Sequence, residues 1–102
     1  MKITNRTFII SGGSSGLGLA TVEDLLTSGA YIAILDQKPP QEQFDARRVR
    51  FFQVDITEVA QIASAVDDVA SWTKETGAHL GGVINCAGVG VAAKVRSTLW
   101  GT

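Results

Sequence analysis

The sequence predicts an α/β fold, a doubly wound parallel sheet with helices on both faces, and three observations carry that reading. Four short, nearly uninterrupted apolar runs recur at residues 7–10, 31–35, 49–54 and 82–85. Longer stretches of helical spacing separate the first run from the second and the third from the fourth. Each run ends in a polar or glycine-bearing turn. Strands apolar on both sides are strands covered on both faces, and parallel strands need crossover connections, usually helices. Right-handed crossovers then return the fourth strand beside the first, so the turns after strands one and four meet at one crevice.

Each element has its own local reason. Thr7 to Ile10 is an apolar run bounded by polar residues and glycine, hence the first strand. From Ser15 to Thr27, Leu17, Ala20, Val22, Leu25 and Leu26 fall at helical spacing, and Gly29 is a natural stop. Tyr31 to Leu35 is the second strand, ending at Asp36. Lys38-Pro39-Pro40 breaks regular structure, and Gln41 to Arg48 reads as a loop or a short exposed helix. Val49 to Val54 is the third strand, ending at Asp55. Thr57 is placed to cap a helix over Glu58 to Glu75, with Val59, Ile62, Ala63, Val66, Val69 and Ala70 on one apolar face and Gly77 ending it. Gly82 to Asn85 is the fourth strand, followed by the turn Cys86-Ala87-Gly88-Val89-Gly90. Residues 1–102 read as one partial domain, with 91–102 an irregular tail of no clear period.

Composition removes several function classes. Nine basic residues against ten acidic give a net charge of −1, which offers nucleic acid or an anionic membrane no favourable field. No apolar run reaches the ~18–20 residues of a membrane span. The single cysteine, Cys86, forms no internal disulfide and fits a reducing compartment. The start, MKITNRTFII, reads as a first strand rather than a secretory signal, and the sequon Asn5-Arg6-Thr7 as chance. The expected location is intracellular, cytoplasmic or mitochondrial. His79 is the only histidine and reads as a surface residue, which leaves a histidine metal site or a Ser-His relay without support. Trp72 reads as helix packing and Trp100 as an orphan of a missing partner surface.

The chemistry concentrates behind the first strand, in Ser11-Gly12-Gly13-Ser14-Ser15-Gly16-Leu17-Gly18. A glycine-rich turn between strand and helix lets backbone approach a diphosphate and aims free helix N–H groups at its charge. Alone, the spacing Gly12-x-x-x-Gly16-x-Gly18 equally fits a tight turn with close helix–strand packing. Asp36, eighteen residues after Gly18, shifts the balance, because a carboxylate at the tip of strand two can accept the ribose hydroxyls of an adenosine. Asp55-Ile56 follows strand three on the same edge, and Asn85-Cys86-Ala87-Gly88 follows strand four. Together these four strand ends point to a dinucleotide site. Leu19 stands where a P-loop would need lysine, and a methyltransferase would not call for Asn85-Cys86-Ala87-Gly88.

In order and spacing, Ser11 to Gly18, Asp36, Asp55-Ile56-Thr57 and Asn85-Cys86-Ala87-Gly88 resemble the short-chain dehydrogenase/reductase family over about residues 6–95. Within it, GGSSGLGLATVEDL, the AILD strand end and NCAGVGVAAKV most resemble the type-2 3-hydroxyacyl-CoA dehydrogenases, which also act on some hydroxysteroids. The resemblance implies a Rossmann-type fold truncated after about the fourth strand. It also implies NAD(H) binding and, in a complete enzyme, hydride transfer to or from a small-molecule alcohol or ketone. Ser15 and Leu17 would contact the nicotinamide–diphosphate part, Asp36 the adenosine ribose, Asp55 the adenine amino group and the Ile56 N–H a ring nitrogen. Cys86, Ala87 and Gly88 would line the ribose path and Asn85 would steady the centre of the sheet. NAD is expected over NADP, because Asp36 repels a 2′-phosphate and the loop from Ser11 to Gly18 holds no Lys or Arg, although Lys38 lies near.

One part of the family pattern is absent from this sequence. The family's proton transfer uses a serine and a tyrosine followed four positions later by lysine, yet the only tyrosine here is Tyr31 and position 35 is Leu35. The 102 residues are therefore expected to bind cofactor without turning substrate over. The alternative is a non-catalytic dinucleotide-binding or interaction module. Either way the outer edge of the fourth strand is left open and invites self-association.

Overall fold

The computed structural model describes residues 3–86. The turn after Cys86, with Ala87 and Gly88, and the tail 91–102 lie outside the described residues. Six elements follow one another: β1 (Thr7–Ser11), α1 (Gly16–Thr27), β2 (Tyr31–Asp36), β3 (Val49–Gln53), α2 (Val59–Thr76) and β4 (Leu80–Asn85). The strands form one parallel sheet in the order β3-β2-β1-β4, so β1 is hydrogen-bonded on both sides and the chain crosses back over the sheet through α2. This is the doubly wound α/β architecture expected from the apolar runs.

Side chains alternate across a pleated strand, and here the alternation splits the core in two. Ile9, Ala33 and Leu35 face one way and pack with Val54 and with Ile62, Ala65, Val69 and Trp72 of α2. Phe8, Ile10, Ile32 and Ile34 face the other way and pack with Val22 of α1, Ala30 and Val49. Burying one such Ile completely contributes about 1.5–3 kcal/mol, so the four isoleucines of β1 and β2, all at most 1% exposed, dominate the sheet's stability. No helix joins β2 to β3. Phe44 in that connection packs against the α1-side cluster instead.

Several details depart from the expectations. The N-cap position of α2 falls on Glu58, whose side chain makes no capping bond, and not on Thr57, which is engaged in the preceding turn: its backbone N–H and its hydroxyl both donate to Asp55 Oδ1. Its buried stripe is Ile62, Ala65, Val69 and Trp72, whereas Val59, Ala63 and Ala70 are exposed. The large Trp72 indole, 2% exposed, belongs in the core and turns the helix toward it. It meets Tyr31 edge-on, with ring centroids 6.1 Å apart, and carries the Arg50 guanidinium over its face. On α1, Gly18 and Val22 are buried, while Leu17 and Ala20 are exposed. Strand β4 begins at Leu80, two residues before the expected Gly82, with a register shift that sets Thr7 opposite Leu80 and Phe8 opposite Gly82. Gly81 is required in the strand because the Phe8 ring occupies its side-chain space: a Cβ there would lie 2.9 Å from Phe8 Cζ, whereas one on Gly82 would make only ordinary contact with that ring at 3.4 Å.

Candidate functional site

The carboxyl ends of the four strands lie side by side. Ser11 pairs in register with Leu35 on one side and Asn85 on the other, and Asp36 pairs with Gln53. The predicted residues Gly12, Asp36, Ile56 and Asn85 thus reach one rim. The topology reverses between β1 and β4, which is where open α/β sheets form a ligand crevice.

The glycine loop is tied down on both flanks. Gly12 N–H donates to Leu35 O at 2.9 Å, and Cys86 N–H donates to Ser11 O at 3.0 Å. The Ser11 hydroxyl donates to Asn85 Oδ1, so Asn85 joins the ends of β1 and β4. Cys86 is half-buried against the α1-side cluster, so it meets the rim through its backbone while its thiol serves packing. Gly12 adopts φ +70°, a left-handed turn that an L side chain rarely takes. Gly18 is required for a different reason. A Cβ there would lie 2.0 Å from Gly12 O, so α1 rests directly on the loop backbone.

Helix α1 is left ready for an anion. Its N-cap, Ser15, is extended and exposed, its hydroxyl makes no capping bond, and the first turn carries no acidic residue. The unsatisfied N–H groups of a helix start carry roughly half a positive charge, which nothing on α1 itself compensates. A Cβ on Gly16 would meet nothing within 4 Å, so the space over the loop is open. Leu17, 77% exposed, flanks that opening.

Asp36 is the hinge of the site. Its Oδ2 accepts the Ser14 N–H at 3.2 Å and its Oδ1 the Gln37 N–H at 2.7 Å, which aims the carboxylate at the glycine loop. Each carboxylate oxygen keeps a second lone pair for a ligand hydroxyl. Asp36 divides two compartments. One, of 240 Å³, is lined by Gly12, Leu35, Asp36, Gln37, Lys38 and Ile56. The other, of 380 Å³, is bounded by Ser14, Ser15, Gly16 and Leu19 on the loop side and by Lys38 and the segment after it on the other. Asp55 faces a third, of 590 Å³, with Gln37, Lys38, Gln53 and Gln61.

Sequence reasoning missed Ser14. Its amide grips Asp36, and its buried hydroxyl has no hydrogen-bond partner among the described residues. A buried hydroxyl left unpaired costs free energy that a ligand oxygen placed against it would recover. The serine was visible in the loop, but its side-chain direction depends on the left-handed turn at Gly12, which spacing does not reveal. Tyr31, in turn, is remote from the rim. It opens β2 while Asp36 closes it, about 16 Å along the strand, and the Arg48 guanidinium covers its ring at 4.8 Å.

Fold and rim together define a doubly wound α/β protein whose ligand crevice lies at the strand carboxyl ends. The family model for short chain dehydrogenase matches residues 6–100, and the chain belongs to that family of oxidoreductases. Human 3-hydroxyacyl-CoA dehydrogenase type-2 is 32% identical over 90 residues, 84% of this chain and 33% of that protein. The short-chain dehydrogenase/reductase ascJ of Acremonium egyptiacum is 43% identical over 56 residues, 55% of this chain and 19% of the relative. Among solved structures, a short chain dehydrogenase from Leptospira borgpetersenii with bound NAD+ superposes with a TM-score of 0.72 at 28% identity, covering 84% of this chain and 32% of the other. The chain spans a third or less of the length of these curated relatives. No helix among the described residues is long and apolar enough to cross a membrane.

Proposed function

We propose that this chain is the NAD(H)-binding portion of a short-chain dehydrogenase/reductase of 3-hydroxyacyl-CoA or hydroxysteroid type. The observation that carries the proposal is the Asp36 carboxylate clamped on the glycine loop beside a buried, unpartnered Ser14 hydroxyl. The relative from Leptospira, crystallised with NAD+, supports a nicotinamide dinucleotide as the ligand. In this reading the diphosphate lies over Gly12, Ser15, Gly16, Leu17 and Gly18 at the start of α1. The adenosine ribose meets Asp36, and adenine lies by Asp55 and Ile56. Asn85, Cys86, Ala87 and Gly88 bound the path toward the nicotinamide.

The same carboxylate argues for NAD over NADP. A 2′-phosphate carries close to two negative charges and would have to sit against Asp36, with Lys38 as partial compensation. Calorimetry with NADH and NADPH tests the preference, and equal affinities would refute it. Turnover is assigned to groups that this chain does not carry, since Tyr31 stands far from the rim and no lysine follows it at position 35. Measurable oxidation of a 3-hydroxyacyl-CoA by the purified 102-residue chain would refute that assignment.

A second reading, a non-catalytic module that acts by pairing with another subunit, draws on β4. Among the described residues β4 has β1 as its one strand neighbour, and a strand at the edge of a sheet is a template for pairing with another chain. The two readings share the cofactor site and differ in whether that edge is used.

A further inference from the structure

We infer that Gln61 is a positioning residue for the adenine end of this site, acting through Asp55; the inference rests on the dinucleotide reading above. Successive amides of a strand point to opposite sides. Val54 N–H donates inward to Asp36 O at 3.0 Å, so the next amide, that of Asp55, points to the open side of β3, where no strand lies among the described residues. The acceptor there is a side chain: Gln61 Oε1 takes the Asp55 N–H at 2.8 Å.

Gln61 occupies the third position of α2, where a glutamine or glutamate commonly reaches back to the N-cap amide. Here the N-cap amide is already used, since Glu58 N–H donates to Asp55 O at 2.9 Å, closing a turn over residues 55–58. Gln61 reaches past it to the start of the turn. Inside, Asp55 Oδ1 accepts the Thr57 N–H at 3.0 Å and the Thr57 hydroxyl at 2.6 Å, which sets the carboxylate's rotamer. Thr57 therefore orients the carboxylate, while Gln61 fixes the backbone that carries it. Both Gln61 and Asp55 line the 590 Å³ compartment at the rim. Without the Gln61 acceptor the Asp55 amide turns to water, the turn loosens on its open side, and Asp55 no longer holds one place for the 6-amino group of a purine.

The test compares NADH with its hypoxanthine analogue, which has an oxo group in place of the 6-amino group, by calorimetry on the 102-residue chain. The parent binds NADH more tightly. Gln61→Ala is expected to weaken NADH about three- to tenfold, the worth of one hydrogen bond, and to bring the two affinities together. Gln61→Glu keeps the acceptor oxygen and retains most of the preference. Reduced nicotinamide mononucleotide, which has no adenosine, binds parent and Gln61→Ala alike, whereas a general loss of structure would weaken it too. Amide exchange gives a readout without ligand: in Gln61→Met the Asp55 amide exchanges faster while the β2 amides do not. A parent that binds neither dinucleotide overturns the dinucleotide reading and this inference with it. A parent that prefers NADH, beside a Gln61→Ala chain with the same preference or an unchanged Asp55 amide, overturns this inference alone.

Discussion

Gly18→Ala tests the contact on which the cofactor cradle rests. The added Cβ would lie 2.0 Å from Gly12 O, 2.7 Å from Gly12 C and 3.0 Å from Gly13 Cα, all backbone atoms, so no side chain can swing aside. Relief requires α1 and the loop to part by more than an ångström. Alanine recovers about 1 kcal/mol of helix propensity, but overpacking of this kind costs about 1–3 kcal/mol and occasionally more. We expect a net loss of up to about 2 kcal/mol by urea denaturation, a sizeable share of a stability on the order of 5–15 kcal/mol. Displacing Gly12 also draws the Ser14 amide away from Asp36, where 3.2 Å already marks a long hydrogen bond. Each contact to a charged group lost from the site is worth about 1.5–3 kcal/mol, so NADH affinity falls by at least about tenfold. Gly16→Ala is the control. Its Cβ meets nothing within 4 Å, so it feels only the strain of φ +57°, about 1 kcal/mol, and leaves Gly12 in place. Ser14 amide protection, measured by hydrogen exchange, then falls in Gly18→Ala and holds in Gly16→Ala. A Gly18→Ala chain with parental stability and parental NADH affinity refutes the close-contact reasoning.

Other outcomes follow from other parts of the structure. Asp36→Ala weakens NADH and narrows its advantage over NADPH; calorimetry showing an unchanged ratio of the two affinities would place the discrimination elsewhere. Trp72→Ala removes an indole that is 2% exposed and costs about 3–5 kcal/mol, enough to leave the chain largely unfolded at 37 °C by circular dichroism. The Arg47 guanidinium beside Asp45 holds that carboxyl below its ordinary range, chiefly through a side-chain hydrogen bond. A lowered folded pKa adds stability above the unfolded value and loses it as pH falls through the folded one. The pair is solvent-exposed and screened, however, so Asp45→Asn leaves the melting temperature at pH 7 unchanged within error. Sedimentation velocity should show concentration-dependent association through β4, and Val83→Pro, which removes a β4 amide, should alter it.

The fold was legible because its pattern is redundant. Four apolar runs, two helical stretches and the turns between them each pointed to the same parallel sheet, and no single residue was needed to decide it. The helix faces were less legible. In α2 every third or fourth residue is apolar on more than one face, so periodicity alone placed Val59, Ala63 and Ala70 inside, while the core received Ala65 and Trp72. Side-chain bulk decided that question, and bulk counts only once β1 and β2 are in place opposite. Leu80 and Gly81 were left outside the fourth strand, since glycine disfavours strands until a neighbour such as Phe8 needs the room. Within the site, residues whose role comes from position along the chain, Gly12, Asp36 and Asn85, were readable. Ser14 and Gln61 were not, because the Ser14 amide is aimed at Asp36 by the turn at Gly12 and Gln61 is engaged by whichever amide points at it.

The sheet's connectivity also sets an order of assembly. The bond between Ser14 and Asp36 spans 22 residues, whereas that between Ser11 and Asn85 spans 74. Closing a longer loop costs more entropy and takes longer, and a chain leaving the ribosome offers its early segments first. The Asp36 side of the crevice is therefore buildable from β1, α1 and β2 alone, with one flank of β1 still bare. The side between β1 and β4 waits for β4 to be made. In a nascent chain the two halves of a single pocket thus have different ages, and the younger half is the one that covers β1.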